Sequence, residues 1–416
     1  MGRCRARTWW NVSLGVLVIA GCDPEPAVDG DGHSLGTDTV TTKKTLHVGS
    51  VSEFGYGSLH EVTTLRDPGG EIASFGQVSK AMLLDSVVLV SDSRERQTLR
   101  VFRLPSGSEG DAILISPEQE RFSSFTSDDG SRVIFWERNG PSLWVQGPGS
   151  QRTDRVRPRI TGNPSNRIHA EGNAVWIWST VRGDYRTERL SYRAWKISPE
   201  GEILQWVDLP DVIRHQPSFV LQTSTGGLRN FPGMHVMDWS PRFGVLYGDN
   251  RQYAFTILRD QVAIDVTAAW EPVQLLPDER SWWMEQAARF SARTTGVEYG
   301  VPEEKPAFRS LSWDSEGKVW VGRYVEGSRI GTLETLFPLD GLPVVEPVVL
   351  DHFSGTGEYL WSIELPHRSR MLDSAGNWIL VATRVLQMGN RETITLFQIE
   401  PPGGSGRLPN VDTRGM

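Results

Sequence analysis

One short pattern recurs six times along the chain and constrains the fold more than anything else: an apolar run of about four residues, a turn built from Asp, Ser, Gly or Pro, and a second apolar run. The first copy is Val87-Val88-Leu89-Val90, then Leu99-Arg100-Val101-Phe102 and the turn Pro105-Ser106-Gly107. Asp128-Asp129-Gly130 leads into Val133-Ile134-Phe135-Trp136. Ala174-Val175-Trp176-Ile177-Trp178 precedes Tyr192-Arg193-Ala194-Trp195-Lys196-Ile197 and Ser198-Pro199-Glu200-Gly201. Phe243-Gly244-Val245-Leu246-Tyr247 precedes Tyr253-Ala254-Phe255-Thr256-Ile257. Trp313-Asp314-Ser315-Glu316-Gly317 turns into Lys318-Val319-Trp320-Val321, and Asp373-Ser374-Ala375-Gly376-Asn377 into Trp378-Ile379-Leu380-Val381, then Thr393-Ile394-Thr395-Leu396-Phe397.

Short runs rich in β-branched and aromatic residues between turn formers are strands of an antiparallel meander. A lone meander cannot bury both of its faces, whereas meanders stacked radially can, because each packs on two neighbours. Strands buried on both faces read as nearly continuous apolar runs, as these do. The pattern therefore predicts an all-β, six-bladed β-propeller over residues 45–402, with a disordered tail at 403–416. The spacing is irregular and longer than a WD-type repeat, and no Gly-His…Trp-Asp signature is present. The sixth unit runs into Pro401-Pro402-Gly403-Gly404 with few residues left to finish it. An early strand at 46–51, starting at Leu46, is expected to pair with it and remove both sheet edges.

One helix interrupts the pattern, over 278–293 between the fourth and fifth units. Trp283, Ala287 and Phe290 fall on one face. Asp278 and Glu279 at its start and Arg289 and Arg293 at its end suit the helix dipole. It reads either as a docked inter-blade connection or as a lid or partner-facing element.

The N-terminus reads as an address. Arg3, Arg5 and Arg7 precede an apolar run from Val12 to Ala20. About nine residues are too few to span a bilayer as a helix, which takes roughly 20, and suit the core of a signal peptide. The run ends in Ile19-Ala20-Gly21-Cys22, which resembles the bacterial lipobox. That resemblance implies a lipoprotein signal peptide at 1–21 and lipidation (palmitate among the acyl chains) of Cys22. Cleavage there removes three arginines and no acid, taking the formal net charge from −8 to −11, and leaves Cys22 as the single cysteine. Two or three acyl chains give stable anchoring. Residues 22–44, rich in Asp, Gly, Pro and Thr, read as the lipidated cysteine and a flexible tether. The expected location is the cell envelope, on the extracytoplasmic side.

Phe75-Gly76-Gln77-Val78, Val90-Ser91-Asp92 and Arg100-Val101-Phe102 resemble a blade of NHL-like six-bladed propellers. Lys305-Pro306-Ala307-Phe308-Arg309-Ser310 with Gly317-Lys318-Val319-Trp320-Val321 resembles a later blade of uncharacterised bacterial propeller lipoproteins. The resemblance covers about residues 46–400 and implies a binding platform without an assigned activity.

Chemical motifs are sparse. The eight histidines form no HxH or HExxH spacing, and the two cysteines form no cluster with them. Asp29-Gly30-Asp31-Gly32-His33 starts like a calcium loop but lacks its later ligands. No nucleophile elbow or phosphate loop occurs. Arg182-Gly183-Asp184 reads as turn chemistry. The negative charge argues against nucleic acid as a partner. Of the 16 tryptophans, most sit in strands and read as inter-blade packing, among them Trp136, Trp144, Trp176, Trp178, Trp195, Trp320, Trp361 and Trp378. Trp282 and Trp283, beside Asp278 and Glu279, are the candidates for an exposed aromatic partner site.

Three functions follow as expectations. The first is a membrane-anchored binding or scaffold propeller for a protein, peptide or glycan, with no catalytic residue and no cofactor. The second is a lactonase-like hydrolase with calcium in the central channel, for which Asp92, Asp128 and Asp314 are the visible carboxylates. The third is a structural subunit of an envelope complex.

Overall fold

The computed structural model describes residues 32–34, 42–50, 55–92, 98–110, 113–114, 122–127, 132–137, 141–146, 155–184, 189–213, 220–221, 228–229, 235–259, 261–291, 303–326, 349–385 and 391–403. Cys22 and the lipobox, Asp128, Arg293 and the tail beyond 403 lie outside these residues.

Each repeated unit becomes one blade. Blade 1 comprises Val78–Leu83, Val87–Asp92, Thr98–Arg103 and Ile113–Leu114; blade 2 comprises Ser124–Thr126, Val133–Glu137 and Ser142–Gln146. Blade 3 comprises Asn163–Glu171, Ala174–Asp184, Arg189–Ile197 and Ile203–Ile213, so the Arg182-Gly183-Asp184 tripeptide ends a strand. Blade 4 comprises His235–Ser240, Gly244–Asp249, Ala254–Arg259 and Val262–Ala269; blade 5 comprises Phe308–Trp313, Val319–Arg323, Val349–Phe353 and Tyr359–Glu364. Blade 6 comprises Ser369–Ala375, Trp378–Val385 and Arg391–Glu400, completed by Ser58–Thr64 from the beginning of the chain.

The core is six wedges, one between each pair of neighbouring blades. Leu89 and Phe102 of blade 1 meet Phe135 and Trp144 of blade 2 or Leu380 and Ile394 of blade 6, according to the face. Trp136 meets Ile177 and Trp195; Trp176 and Trp178 meet Trp239; Phe255 meets Phe308 and Phe353; Trp320 and Trp361 meet Ile379 and Val381. The wedge between blades 6 and 1 closes the ring. Trp136, Trp144, Trp176, Trp178, Trp195, Trp320 and Trp361 are buried in the core, whereas Trp313 and Trp378 are half-buried.

Closure uses a different segment from the one the sequence suggests. The strand that completes blade 6 is Ser58–Thr64, antiparallel to Arg391–Glu400 with Ser58 opposite Glu400. The segment containing Leu46, Thr42–Ser50, lies instead parallel to the outer strand of blade 4, with Thr42 opposite Val262 and Ala268 opposite Val48. Gly32–Ser34 lies parallel to the outer strand of blade 3, opposite Trp206–Asp208, and Tyr56 bridges in parallel to Ser362 on the outer strand of blade 5. The described pieces Gly32–Ser34, Thr42–Ser50 and Tyr56 thus form a strap on the rims of blades 3, 4 and 5, ahead of the strand that closes blade 6. Two pieces of the expected tether, Gly32–Ser34 and the start of Thr42–Ser50, are strand. The reason is that an outer strand leaves one row of amides and carbonyls unpaired, and an adjacent stretch of chain satisfies them.

Candidate functional site

The first strand of each blade lies at the inner edge of the ring. Neighbouring first strands approach one another there, Ser369–Ala375 against Val78–Leu83 and His235–Ser240 against Phe308–Trp313 among them. Edge amides need acceptors, and polar side chains of the adjoining blade supply them. Asp373 Oδ2 accepts the Leu83 amide at 2.7 Å, Asp238 Oδ2 the Trp313 amide at 3.0 Å, and Thr126 Oγ1 the Ala170 amide at 3.0 Å. Lys80 Nζ donates to the Phe125 carbonyl at 2.6 Å, and Arg370 Nη2 to the Val78 carbonyl at 2.8 Å. Glu392 steadies Arg370 at 3.0 Å and accepts the Val78 amide at 2.7 Å. Asp373 is half-buried, yet desolvation raises its carboxyl to about 6, against the amides of Leu83 and Ser374 and the charge of Lys80, which lower it. These residues were not singled out by sequence; nothing local marks a residue whose partner sits in another blade.

The family-like blade motif resolves into a clasp. Asp92 accepts the amides of Gly76 and Gln77, Phe75 meets Phe102 edge-on at 6.0 Å, and Arg100 lies over both rings. Asp314 also holds backbone: its Oδ1 accepts the amides of Glu316 and Lys318, both at 2.8 Å. The same device recurs as Ser198 on Glu200 and Glu202, and as Ser354 on Thr356 and Glu358. In each, the fourth residue is a glycine at positive φ, as in Gly201, Gly317 and Gly357. The repeated spacing Ser/Asp-x-x-Gly was legible for the first two and missed for Ser354. Gly357 is doubly required, since a Cβ there would stand 2.6 Å from Val266 Cγ2 and 3.1 Å from Leu46 Cδ1 of the strap.

Asp92 and Asp314 are therefore not brought together: one clasps blade 1 and the other a turn of blade 5. Among the described residues, no group of three or more His, Cys, Asp or Glu is placed to hold a metal ion. No helix among them is long and apolar enough to cross a membrane.

Blade 5, with Tyr253 of blade 4, holds a buried polar cluster. Asp351 is fully buried and takes Arg323 at 2.8 Å, Tyr253 at 2.7 Å and the Ser362 hydroxyl; Tyr359 bonds that hydroxyl at 2.6 Å. Desolvation and the Asp351 charge raise Tyr253 well above the ordinary range, and Tyr359 is pushed up to about 12, chiefly by desolvation. The next residue, His352, is stacked on Trp320 at 4.0 Å and tilted against Trp361 at 4.5 Å, with its Nε2 3.5 Å from Asp314 Oδ2. Burial lowers its pKa, against the opposing pull of Asp314.

Helix α1, Pro277–Ser291, joins blade 4 to blade 5. Its base is clamped: Glu279 forms a buried ion pair with Lys305 at 3.0 Å, and Trp283 is wholly buried. Trp283 is thus core and not an exposed aromatic, because it lies one helical turn beyond Glu279 on the face turned to the ring. Trp282 is half-buried, edge-on to Trp283 at 4.3 Å, and Met284 is exposed.

No family model matches the chain, and no curated protein matches it. Among solved structures, a member of the DUF4221 family from Bacteroides vulgatus superposes with TM-score 0.49 at 8% identity, covering 83% of this chain and 99% of that one. An exported protein of Bacteroides fragilis gives 0.43 at 10% identity, covering 88% and 99%. The calcium-binding protein regucalcin of Agrobacterium tumefaciens gives 0.35 at 12% identity, covering 87% and 97%.

Proposed function

We propose that this chain is an extracytoplasmic binding or scaffold propeller, held to a bacterial membrane through lipidated Cys22, whose ligand is a protein, peptide or glycan. The observation that carries the reading is the mounting of α1. A buried ion pair and a buried Trp fix its base, while Met284 and part of Trp282 remain at the surface. The inner-edge polar groups support the same reading, since Asp238, Asp373, Thr126, Lys80 and Arg370 each hold the main chain of an adjoining blade. Their bonding makes a stiff disc, and a stiff disc loses little conformational entropy on binding.

The test uses the anchored chain purified from its own membranes, native beside Trp282→Ala. A component that copurifies with the native chain and is lost from a variant of unchanged melting temperature supports the reading. Turnover of a lactone panel that a chelator abolishes overturns it. For the anchor, Cys22→Ala should block acyl labelling and release the protein from membranes; continued labelling contradicts it.

A further inference from the structure

The strap gives the disc a direction. In blades 3, 4 and 5 the described turns from first to second strand and from third to fourth lie on one face of the ring, because the strands alternate in direction. Residues 172–173, 198–202, 314–318 and 354–358 are of this kind, and most are short. Helix α1 follows the opposite end of the blade 4 outer strand, toward the other face, and touches the small ribbon Val220–Leu221/Leu228–Arg229. The strap is parallel to the outer strands of blades 3 and 4, and those strands start at the short-turn face. Thr42 sits beside Val262, and its amide reaches the Gln261 carbonyl within the turn itself, at 3.5 Å. Gly32 sits opposite Trp206, a few residues below the Ser198–Glu202 clasp. The N-terminal end of Gly32–Ser34 therefore points to the short-turn side.

The strap is fastened over Thr42–Ser50. Lys43 pairs with Asp265 at 2.8 Å and His47 with Thr267 at 2.7 Å, while Leu46 and Val48 are half-buried. Between Cys22 and Gly32 there are ten peptide steps, a reach of at most roughly 35 Å. Reaching the far face would use roughly 23 Å of that reach along the rest of the blade 3 outer strand, whereas the short-turn face lies within a few residues of Gly32.

Resting on the Cys22 anchor proposed above, we propose that the strap is an orienting mount: it holds the short-turn face at the blade 3 rim against the membrane and turns the face bearing α1 outward. The interaction surface is thereby split in two. A lipid surface meets the turn at Ser198–Glu202, and α1 is presented to whatever approaches from the other side.

The experiment exploits the cysteine count, since processing leaves Cys22 alone and its thiol is acylated. Glu200→Cys, on an exposed short turn, and Met284→Cys, on α1, each add one reactive thiol. The full lipidated chain, fluorescently labelled there, is reconstituted into phosphatidylethanolamine/phosphatidylglycerol vesicles with and without nitroxide-headgroup lipid. Quenching at least two-fold stronger at 200 than at 284 is expected. Inserting 20 Gly/Ser residues between Cys22 and Gly32 should erase the difference. Equal or reversed quenching in chains that float with the vesicles overturns the mount while leaving the anchor standing, as does a difference that survives the insertion. Failure of the native chain to take up acyl label or to float overturns the anchor, and the mount with it.

Discussion

His352 shows how a single buried side chain writes pH into this fold. It is wedged between two indoles at 1% exposure, and burial lowers its pKa. Below about pH 6.5 the unfolded chain binds the proton more readily than the folded one, so stability falls as pH drops through that value. His352→Phe keeps the stack and removes the titration. Urea denaturation from pH 7.5 to 5 should show a smaller loss in the variant than in the native chain; parallel curves would refute the assignment. Asp373 has the opposite sign. Its folded pKa of about 6 lies above the ordinary 3.8, so the folded state holds the proton more tightly. Stability from this group is present at pH 4 and lost as pH rises through 6, by at most about 3 kcal/mol for a shift of this size and less for a half-buried group. Asp373→Asn sacrifices one of two amide bonds and does not titrate. It should be less stable than native at pH 4, and the gap should narrow above pH 6; a gap constant with pH would count against the shift. Neither residue's role was readable from sequence, because the groups that set it, Trp320 with Trp361 and the Leu83 amide, come from other strands or another blade.

At the scale of elements, helix α1 was legible in place and type. Its acidic start and basic end, set between the fourth and fifth units, match Pro277–Ser291 closely. Which of its two adjacent tryptophans faces inward was not, since that depends on how the helix docks on Lys305 and the strand after it. Burial of Trp283 makes a direct forecast. Trp283→Ala should cost about 3–5 kcal/mol of unfolding free energy, whereas Trp282→Ala should stay within about 1 kcal/mol. Calorimetry of the two variants decides it, and equal effects would mean the helix is docked otherwise. The turns were the most readable elements. A Ser or Asp oxygen that accepts amides two and four residues on, with a glycine at the fourth place, is a wholly local device.

At the scale of the molecule, ring closure and strap separate into two roles that truncation can tell apart. A chain starting at Gly55 keeps Ser58–Thr64 and the six wedges, and should unfold in one transition at a modestly lower denaturant midpoint. A chain starting at Leu65 leaves Arg391–Glu400 as an open edge and should lose the single transition or aggregate. If both truncations behave alike, the strap and the closing strand are not distinct parts. Six units, antiparallel meanders and strands buried on both faces were fixed by the apolar runs themselves, because period and turn chemistry act between residues close in the chain. A ring finished by an early strand was also expected, because the sixth unit runs into Pro401-Pro402-Gly403-Gly404, which does not continue a sheet. The choice of Ser58–Thr64 over the stretch around Leu46 was not. Both alternate well enough to pair, and what separates them is which edge each can reach: the outer strand of blade 4 takes Thr42–Ser50, leaving the later segment opposite blade 6. Likewise, the sequence supplied Asp92 and Asp314 as carboxylates at strand ends, and tertiary placement made each a holder of backbone in a separate blade. Local physics determines the units; only the closed ring determines which edges, amides and rims those units have left to satisfy.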